Sequence, residues 1–390
     1  MKREPIRVLQ ALRVMNRAGI ETWLMHMLRR FDRRQIAMDF LVQTEEPGAF
    51  DDEIRSLGAR ILPCITPSQP WRYSWNLRRI LNGAEPYHVV HSHNYFFAGL
   101  DLKVAAQAGV PHRIAHMHPH RDIAAGRPFR SVYRSLMCNW IRSYSTCILA
   151  PSQASLDAFS QYADCGATPR GVVWNCVDLS AYREPVDKHE VRRRLGLPLD
   201  VPLIIYVARF APHKNHLFLA AVADRLEELG VRAAFVVAGS DGEARREFEQ
   251  RIAGRTNFSI FVNEPDISPL LNCADLFLFP SSEEGFGTVA IEAAAAGLPV
   301  VASDLPAIRE ACALSHRSFM FPPGDDRAAA MNIRGILGDG DVYRKLRRDA
   351  MRWAEQFSVE PVAEQLAEVY RTGRPAAAGV ESLDREAIAK

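Results

Sequence analysis

The sequence predicts an α/β protein made of two Rossmann-like halves, each a parallel sheet covered by helices on both faces. Three observations carry this. Short apolar runs alternate with helix-period segments along the chain, the pattern of parallel sheets sandwiched between helices. The 390 residues suit about two to three domains, and a single sheet holding every strand would be unusually wide. A polar, charge-rich stretch from Asp178 to Pro202 interrupts the alternation near its middle.

In chain order, Ile6–Leu12 reads as a strand and Ile20–Arg30 as a helix with Trp23, Leu24, Met27 and Leu28 on one face. Ile36–Val42, His88–His91, Arg113–Ala115, Thr146–Leu149 and Val172–Trp174 follow as strands with helical stretches between them. The second half repeats the scheme with strands at Leu203–Val207, Ala233–Ala238, Leu276–Phe279 and Pro299–Ala302. This sets domains at 1–180 and 181–358, followed by a helix at Val359–Tyr370 that is a candidate to pack back on the first domain. Gly373–Lys390, with Pro, three alanines and Gly, is expected to be a loosely ordered tail. No repeat of solenoid period is present.

Charged residues at 24% and hydrophobic ones at 48% exclude a disordered, collagen-like or coiled-coil chain. The net charge of +2 hides an asymmetry: Met1–Asp178 carries 22 basic and 15 acidic residues, the remainder 26 and 31. A basic first half suits an anionic ligand or a membrane surface, with a merely solvated surface as the alternative. No apolar run reaches the ~18 residues of a membrane span, and Met1–Gly19 has no signal-peptide core. Seven cysteines (64, 138, 147, 165, 176, 273 and 312) form no C-x-x-C pair, the usage of a reducing compartment, so a cytoplasmic protein is expected.

Ligands of open α/β sheets bind outside the carboxyl ends of the strands. Three strand-to-helix junctions have unusual composition. In Leu276–Glu292 an apolar strand ends at Pro280, and a helix begins near Gly287 and stops near Gly297. Gly285 and Gly287 let backbone amides approach an anion at the helix N-terminus. Glu284 is a loop carboxylate able to grip hydroxyls, and Glu292, among alanines, needs a partner if buried. In Tyr206–Asn215, Arg209 and Lys214 lie just past a strand, where two cations would suit a diphosphate; solvated surface cations are the alternative. Met15–Glu21, containing Ala18 and Gly19, is a phosphate cradle in outline or an ordinary helix entry.

Histidines crowd the first half at 88, 91, 93, 112, 116, 118 and 120. His116-x-His118-x-His120 would share one side of an extended segment, but no Cys or carboxylate stands at ligand spacing. One functional histidine among surface ones is expected, and no metal. Asp339-Gly-Asp341 reads as a structural turn, with Asp341 capping the helix Val342–Ala354. A Walker A string and a cation–aromatic pattern for nucleic acid are both absent. Phe129–Ser143, with Arg130, Arg134 and Arg142 beside Phe129, Val132, Tyr133, Leu136, Met137, Trp140 and Ile141, is an amphipathic basic helix. It suits either an anionic membrane or an ordinary core-packed position.

Glu284 and Glu292, eight positions apart with Gly-Phe-Gly after the first, resemble the Glu-x7-Glu motif of retaining GT-B glycosyltransferases, specifically glycosyltransferase family 4 of the exopolysaccharide type. The Ala-Gly-Leu-Pro-Val-Val that follows, Met15–Arg30 and Val173–Asp178 extend the resemblance over most of the chain, with Ala18 and Cys176 standing where glycines are usual. The resemblance implies two Rossmann-like domains facing each other across a cleft, and transfer of a sugar with retention from a nucleotide diphosphate donor, UDP favoured, to a saccharide or lipid-linked saccharide. Glu292 would bind the ribose. Arg209 and Lys214 would hold the diphosphate and stabilise the leaving group. Glu284 and the segment Gly285, Phe286, Gly287, Thr288 and Val289 would hold the donor, with Gly19 near the phosphate. A histidine near the donor sugar would be His118, with His116 the competitor. The resemblance implies no metal and no nucleic-acid partner; surface polysaccharide assembly is the expected setting. Rival readings are a nucleotide-sugar 2-epimerase on the same fold and a non-catalytic nucleotide-sugar-binding protein.

Overall fold

In a computed structural model of the chain, residues 4–65, 68–118, 128–162, 166–183 and 186–375 are described, the side chains of 128–130 excepted. The expected tail beyond Pro375, Cys165, His120 and the side chains of Phe129 and Arg130 lie outside the described residues. The chain divides into one unit of Met1–Cys176 with Val359–Lys390 and a second of Val177–Ser358, against the expected boundary at 180/181.

The first unit runs β1 (Ile6–Leu12), α1 (Gly19–Arg30), β2 (Ile36–Val42), α2 (Asp51–Ser56), β3 (Ile61–Pro63), α3 (Pro70–Leu81), β4 (Val89–Ser92), α4 (Ala98–Gln107), β5 (His112–His116), α5 (Pro128–Tyr144), β6 (Cys147–Ala150), α6 (Gln153–Ser160) and β7 (Arg170–Val172). The second runs α7 (Ser180–Arg183), α8 (Lys188–Leu195), β8 (Leu203–Val207), α9 (Leu217–Glu228), β9 (Ala234–Gly239), α10 (Arg245–Arg251), β10 (Phe258–Val262), α11 (Ser268–Cys273), β11 (Leu276–Phe279), α12 (Thr288–Ala295), β12 (Val300–Ala302), α13 (Pro306–Ala311), α14 (Asp326–Gly338) and α15 (Gly340–Ala354). The last helix, α16 (Val359–Thr372), returns to the first unit, where it packs on α1 and β1.

Both sheets are parallel, with strand order β3-β2-β1-β4-β5-β6-β7 and β10-β9-β8-β11-β12. The order reverses between β1 and β4 in the first and between β8 and β11 in the second. Those are the two switch points at which such sheets leave a crevice.

In the first unit the two-residue period of the strands sorts side chains onto two faces. Val8, Leu12, Val89 and Ile114 join Trp23, Leu24, Met27 and Leu28 of α1 and Val362, Leu366, Val369 and Tyr370 of α16. Leu9, Ala11, Val90 and Ala115 join Tyr73, Leu77 and Leu81 of α3, Leu102 of α4 and Met137 and Ile141 of α5. Gln10, His91 and His116 share the parity of the first set, so polar groups are driven into the layer beneath α1 and α16 and must find partners there.

The polar connection between the halves is not merely a linker: it forms α7 and α8. Asp187 caps α8 through the amides of His189 and Glu190, and Gly196 ends it at φ 68°. Its Arg192 side chain is only 6% exposed. It reaches Asp275 Oδ2 at 2.6 Å, while Lys188 Nζ meets Asp275 Oδ1 at 3.1 Å. The amide of Leu203 also donates to Asp275 (2.9 Å), tying α8 to the start of β8 and β11. Asp339, not Asp341, caps α15, accepting from the amides of Asp341 and Val342; Asp341 instead pairs with Arg344. A residue two positions before the first free amides reaches them, whereas Asp341 is already in the first turn.

Candidate active site

In the second unit, the β8 exit carries Arg209, then a short 3-10 turn at Pro212–Lys214 that ends on Asn215 with φ 55°. The β11 exit runs from Pro280 into α12. The two loops are stitched together. Asn215 Nδ2 donates to the Pro280 carbonyl (3.3 Å) and the Ser282 amide to the His213 carbonyl (2.9 Å), while Tyr206 Oη braces the first loop from within by donating to the Lys214 carbonyl (2.7 Å). A third wall is the β9 exit, where a Cβ on Gly239 would lie 1.9 Å from the Ala208 carbonyl oxygen, so only glycine fits.

The stitching brings Lys214 and Glu284 into an ion pair with both side chains largely buried, 19% and 10% exposed. Arg209 is exposed and has no ion-pair partner among the described residues. Gly287, at φ 87°, begins α12 without a side-chain cap, and a Cβ there would meet the Phe279 ring at 2.9 Å. The N-terminus of α12 follows Glu284, the partner of Lys214, within four residues of chain, and its helix dipole favours an anion there. Gly285, Thr288 and Val289 around this helix start are partly buried. The Phe286 side chain turns inward against Phe357 (5.7 Å between ring centres), so only its backbone is offered. Glu292 lies one turn into α12, partly buried and without a charged partner among the described residues. Burial pushes its carboxyl up to about 7.

In the first unit, Gly19 starts α1, exposed, with nothing within 4 Å of an added Cβ. Ala18 sits at φ −142°, which any residue adopts, so the alanine that replaces a glycine in this loop is unstrained. Across the switch point, β4 is followed by His93, Asn94 and Tyr95, the last at φ 50°. Buried Asp101 braces this exit, accepting from Tyr73 Oη (2.7 Å), Ser92 Oγ (2.6 Å) and Asn94 Nδ2 (2.9 Å); desolvation raises its carboxyl.

The histidines depart from expectation: His91 and His116 are fully buried and His93 is 8% exposed, rather than at the surface. His118 is partly exposed, which favours it over His116 as the accessible imidazole. Burial pushes His91 and His118 down to about 3 and His93 and His116 well below the usual range, so the cluster is neutral. Nitrogens of His91, His93 and His116 lie within 4.8 Å of one another, a spacing that could hold a metal ion. Both nitrogens of His91 and His93 are, however, already hydrogen-bonded. An ion would have to displace those bonds. Gln10, Asp101 and Tyr370 went unnoticed in the sequence; the parity of Gln10 with Val8 and Leu12 was the available signal.

Two parallel α/β units, each with chemistry gathered at its switch point, define a GT-B glycosyltransferase. The chain matches the Glycosyl transferases group 1 family over residues 187–353 and the Glycosyl transferase 4-like domain over 18–175, and it belongs to the group 1 glycosyltransferases. It is 32% identical over 311 residues to the Bacillus subtilis protein named as glycosyltransferase EpsF, covering 76% of this chain and 79% of that one. A D-inositol 3-phosphate glycosyltransferase of Jonesia denitrificans is 30% identical over 215 residues, 52% of this chain and 51% of that one. The fold matches Anabaena HepE in complex with UDP and glucose (TM-score 0.79, 20% identity, 94% of this chain and 100% of that one). It also matches WaaG, a glycosyltransferase involved in lipopolysaccharide biosynthesis (TM-score 0.68, 16% identity, 94% and 100%).

Proposed function

We propose that the protein transfers a hexose-type sugar from a UDP-sugar to a saccharide or lipid-linked saccharide, with retention, in surface polysaccharide assembly. The observation that carries this is the Lys214–Glu284 pair at the β8/β11 switch point, with Arg209 and the α12 N-terminus beside it. In the free protein the pair neutralises itself. A bound diphosphate takes over Lys214 and Arg209, which spread the charge that appears on the leaving group, and so frees Glu284 for the hydroxyls of the sugar. Glu292 accepts from the ribose, and His118 contacts the sugar. Charge stabilisation by these cations and amides calls for no resident metal. UDP is supported by HepE, solved with UDP-glucose as well as UDP, and polysaccharide assembly by the fold shared with WaaG.

Calorimetric titration with UDP, GDP and ADP, without and then with magnesium, tests the donor site. Saturable magnesium-independent binding of UDP is expected, and no binding by folded protein would sink the reading. NMR of the anomeric proton in the first product tests retention.

Contact of the first unit with an anionic membrane is a further part of the reading. On α5, Val132 (69%), Tyr133 (40%) and Leu136 (43%) are exposed, while Met137, Cys138 and Ile141 are buried. On α3, Trp71 and Trp75 are 70% and 63% exposed, with Arg79 over the Trp75 ring. Helix α4 packs against both. Among the described residues no helix is long and apolar enough to cross a membrane, so contact would be interfacial. Flotation with phosphatidylglycerol vesicles should be lost in the Trp71→Ala/Trp75→Ala double variant; recovery independent of anionic lipid would reject it.

A further inference from the structure

Beneath α1 and α16, a single chain of hydrogen bonds joins four histidines through Gln10. His118 Nε2 meets His93 Nδ1 at 3.1 Å, and His93 Nε2 meets Gln10 Oε1 at 3.0 Å. From the other end of the same amide, Gln10 Nε2 donates to Tyr370 Oη (2.8 Å), which meets His91 Nδ1 (3.0 Å); His91 Nε2 then meets His116 Nδ1 (3.1 Å). The Trp23 ring packs edge-on against His91, His93 and His116. Gln10, His91 and His116 are 0% exposed and Tyr370 1%.

Burial keeps these imidazoles neutral, so each has one N–H and one lone pair. An amide has a donating end and an accepting end, and its orientation fixes the direction of every bond in the chain. With Oε1 toward His93, His93 carries its proton on Nε2 and must accept at Nδ1. His118 is therefore the donor and carries its proton on Nε2. Its Nδ1 is the nitrogen left over, without a partner among the described residues. On the other arm Tyr370 accepts from Gln10 and donates to His91, and His91 donates to His116. His116 Nε2 ends that arm buried and unpaired. Turning the amide over would reverse all of these bonds together and place the His118 proton on Nδ1.

We propose that Gln10 is a positioning residue that acts through His93 to fix the tautomer of His118, leaving Nδ1 to accept a hydrogen bond from a hydroxyl of the transferred sugar. The inference rests on the reading of His118 as a sugar contact. The covering helices take part: Tyr370 holds the donating end of the amide, so α16, the last helix in the chain, helps set a side chain at the exit of β5.

The test reads tautomers directly, without substrate. In protein labelled with 15N-histidine, long-range 1H–15N correlation distinguishes the two neutral tautomers, and His118→Asn assigns the His118 signals by their loss. In the native protein His118 should be protonated on Nε2. In Gln10→Met, close in shape but unable to hydrogen-bond His93, the His118 pattern should move to a mixture, and kcat should fall about tenfold or more, with nucleotide affinity unchanged. In Gln10→Glu a carboxyl oxygen can still accept from His93, so His118 keeps its tautomer and kcat recovers. Should Gln10→Met not fold, Tyr370→Phe asks the same question: the amide loses its anchor, and His118 should again show both tautomers. Native His118 signals in whichever of these two variants folds would overturn the proposal. The two readings fail separately. Tautomers that behave as stated in a protein that transfers no sugar would sink the function and leave the relay. Normal transfer with unmoved tautomers would do the reverse.

Discussion

Replacing Glu292 by Gln should stabilise the protein while weakening nucleotide binding, and the gain should depend on pH. Desolvation within α12 raises the Glu292 carboxyl from 4.5 to about 7. The folded state therefore holds a proton that the unfolded chain releases, and stability falls as pH rises from about 4.5 to about 7. At pH 8, above both values, the full shift is worth about 3 kcal/mol. Partial exposure of the side chain reduces this, so a gain of about 2 kcal/mol is expected for Glu292→Gln. For a unit of this size that is roughly 4–8 °C in melting temperature. At pH 5 the folded carboxyl is already protonated, and the gain should shrink below about 1 kcal/mol. Thermal unfolding of both proteins at pH 5 and pH 8, paired with UDP titration at pH 8, measures both sides. An equal melting temperature at pH 8, or a gain of the same size at pH 5, would refute the burial argument. Unchanged UDP affinity would refute the ribose role.

Lys214→Ala should weaken UDP binding by about tenfold or more in calorimetry, since it removes one charge-assisted contact to the diphosphate. Glu284→Gln should abolish sugar transfer with folding intact by circular dichroism; wild-type turnover would remove the carboxylate from the mechanism. Gly287→Ala places a Cβ at φ 87° and 2.9 Å from the Phe279 ring, so a loss of about 1–3 kcal/mol is expected in denaturant unfolding, together with weaker UDP binding. Asp275→Ala strands Arg192 and Lys188 without their carboxylate and should cost about 3–5 kcal/mol in the same assay.

What the sequence made legible follows from where each structural cause lies. Strands buried on both faces announce themselves as apolar runs, and Ile6–Leu12, Ile36–Val42, Leu203–Val207 and Leu276–Phe279 match the observed limits. The strands at Ile61–Pro63 and Phe258–Val262 were not read from the sequence, although both runs are largely apolar. They are edge strands, three and five residues long and partly exposed, paired on one side only, with β2 and β9. The helix at Lys188–Leu195 was hidden by its charge: a segment read as a linker because of its arginines buries one of them against Asp275, a partner some eighty residues distant. The site in the second unit was legible because its groups sit in two loops of distinctive composition. The histidine cluster was not. Its burial depends on α1 and α16 covering one face of the sheet, and the covering residue Tyr370 lies 360 positions from Gln10.

The two switch points hold chemistries of opposite kind, and burial is the reason for each. At β8/β11, Arg209 is exposed and Lys214 is paired, among the described residues, with Glu284 alone, so cationic charge is available to an arriving diphosphate. At β1/β4, desolvation strips the proton charge from every clustered histidine, and His118, pushed down to about 3, stays neutral across the whole physiological range. A neutral imidazole cannot offset the charge of a departing phosphate. What it can offer a sugar is one donor and one acceptor, in an order fixed by the group behind it. A chain of hydrogen bonds that assigns that order is therefore of more use at this position than a charge would be, because a hydroxyl is recognised by direction and a diphosphate by field.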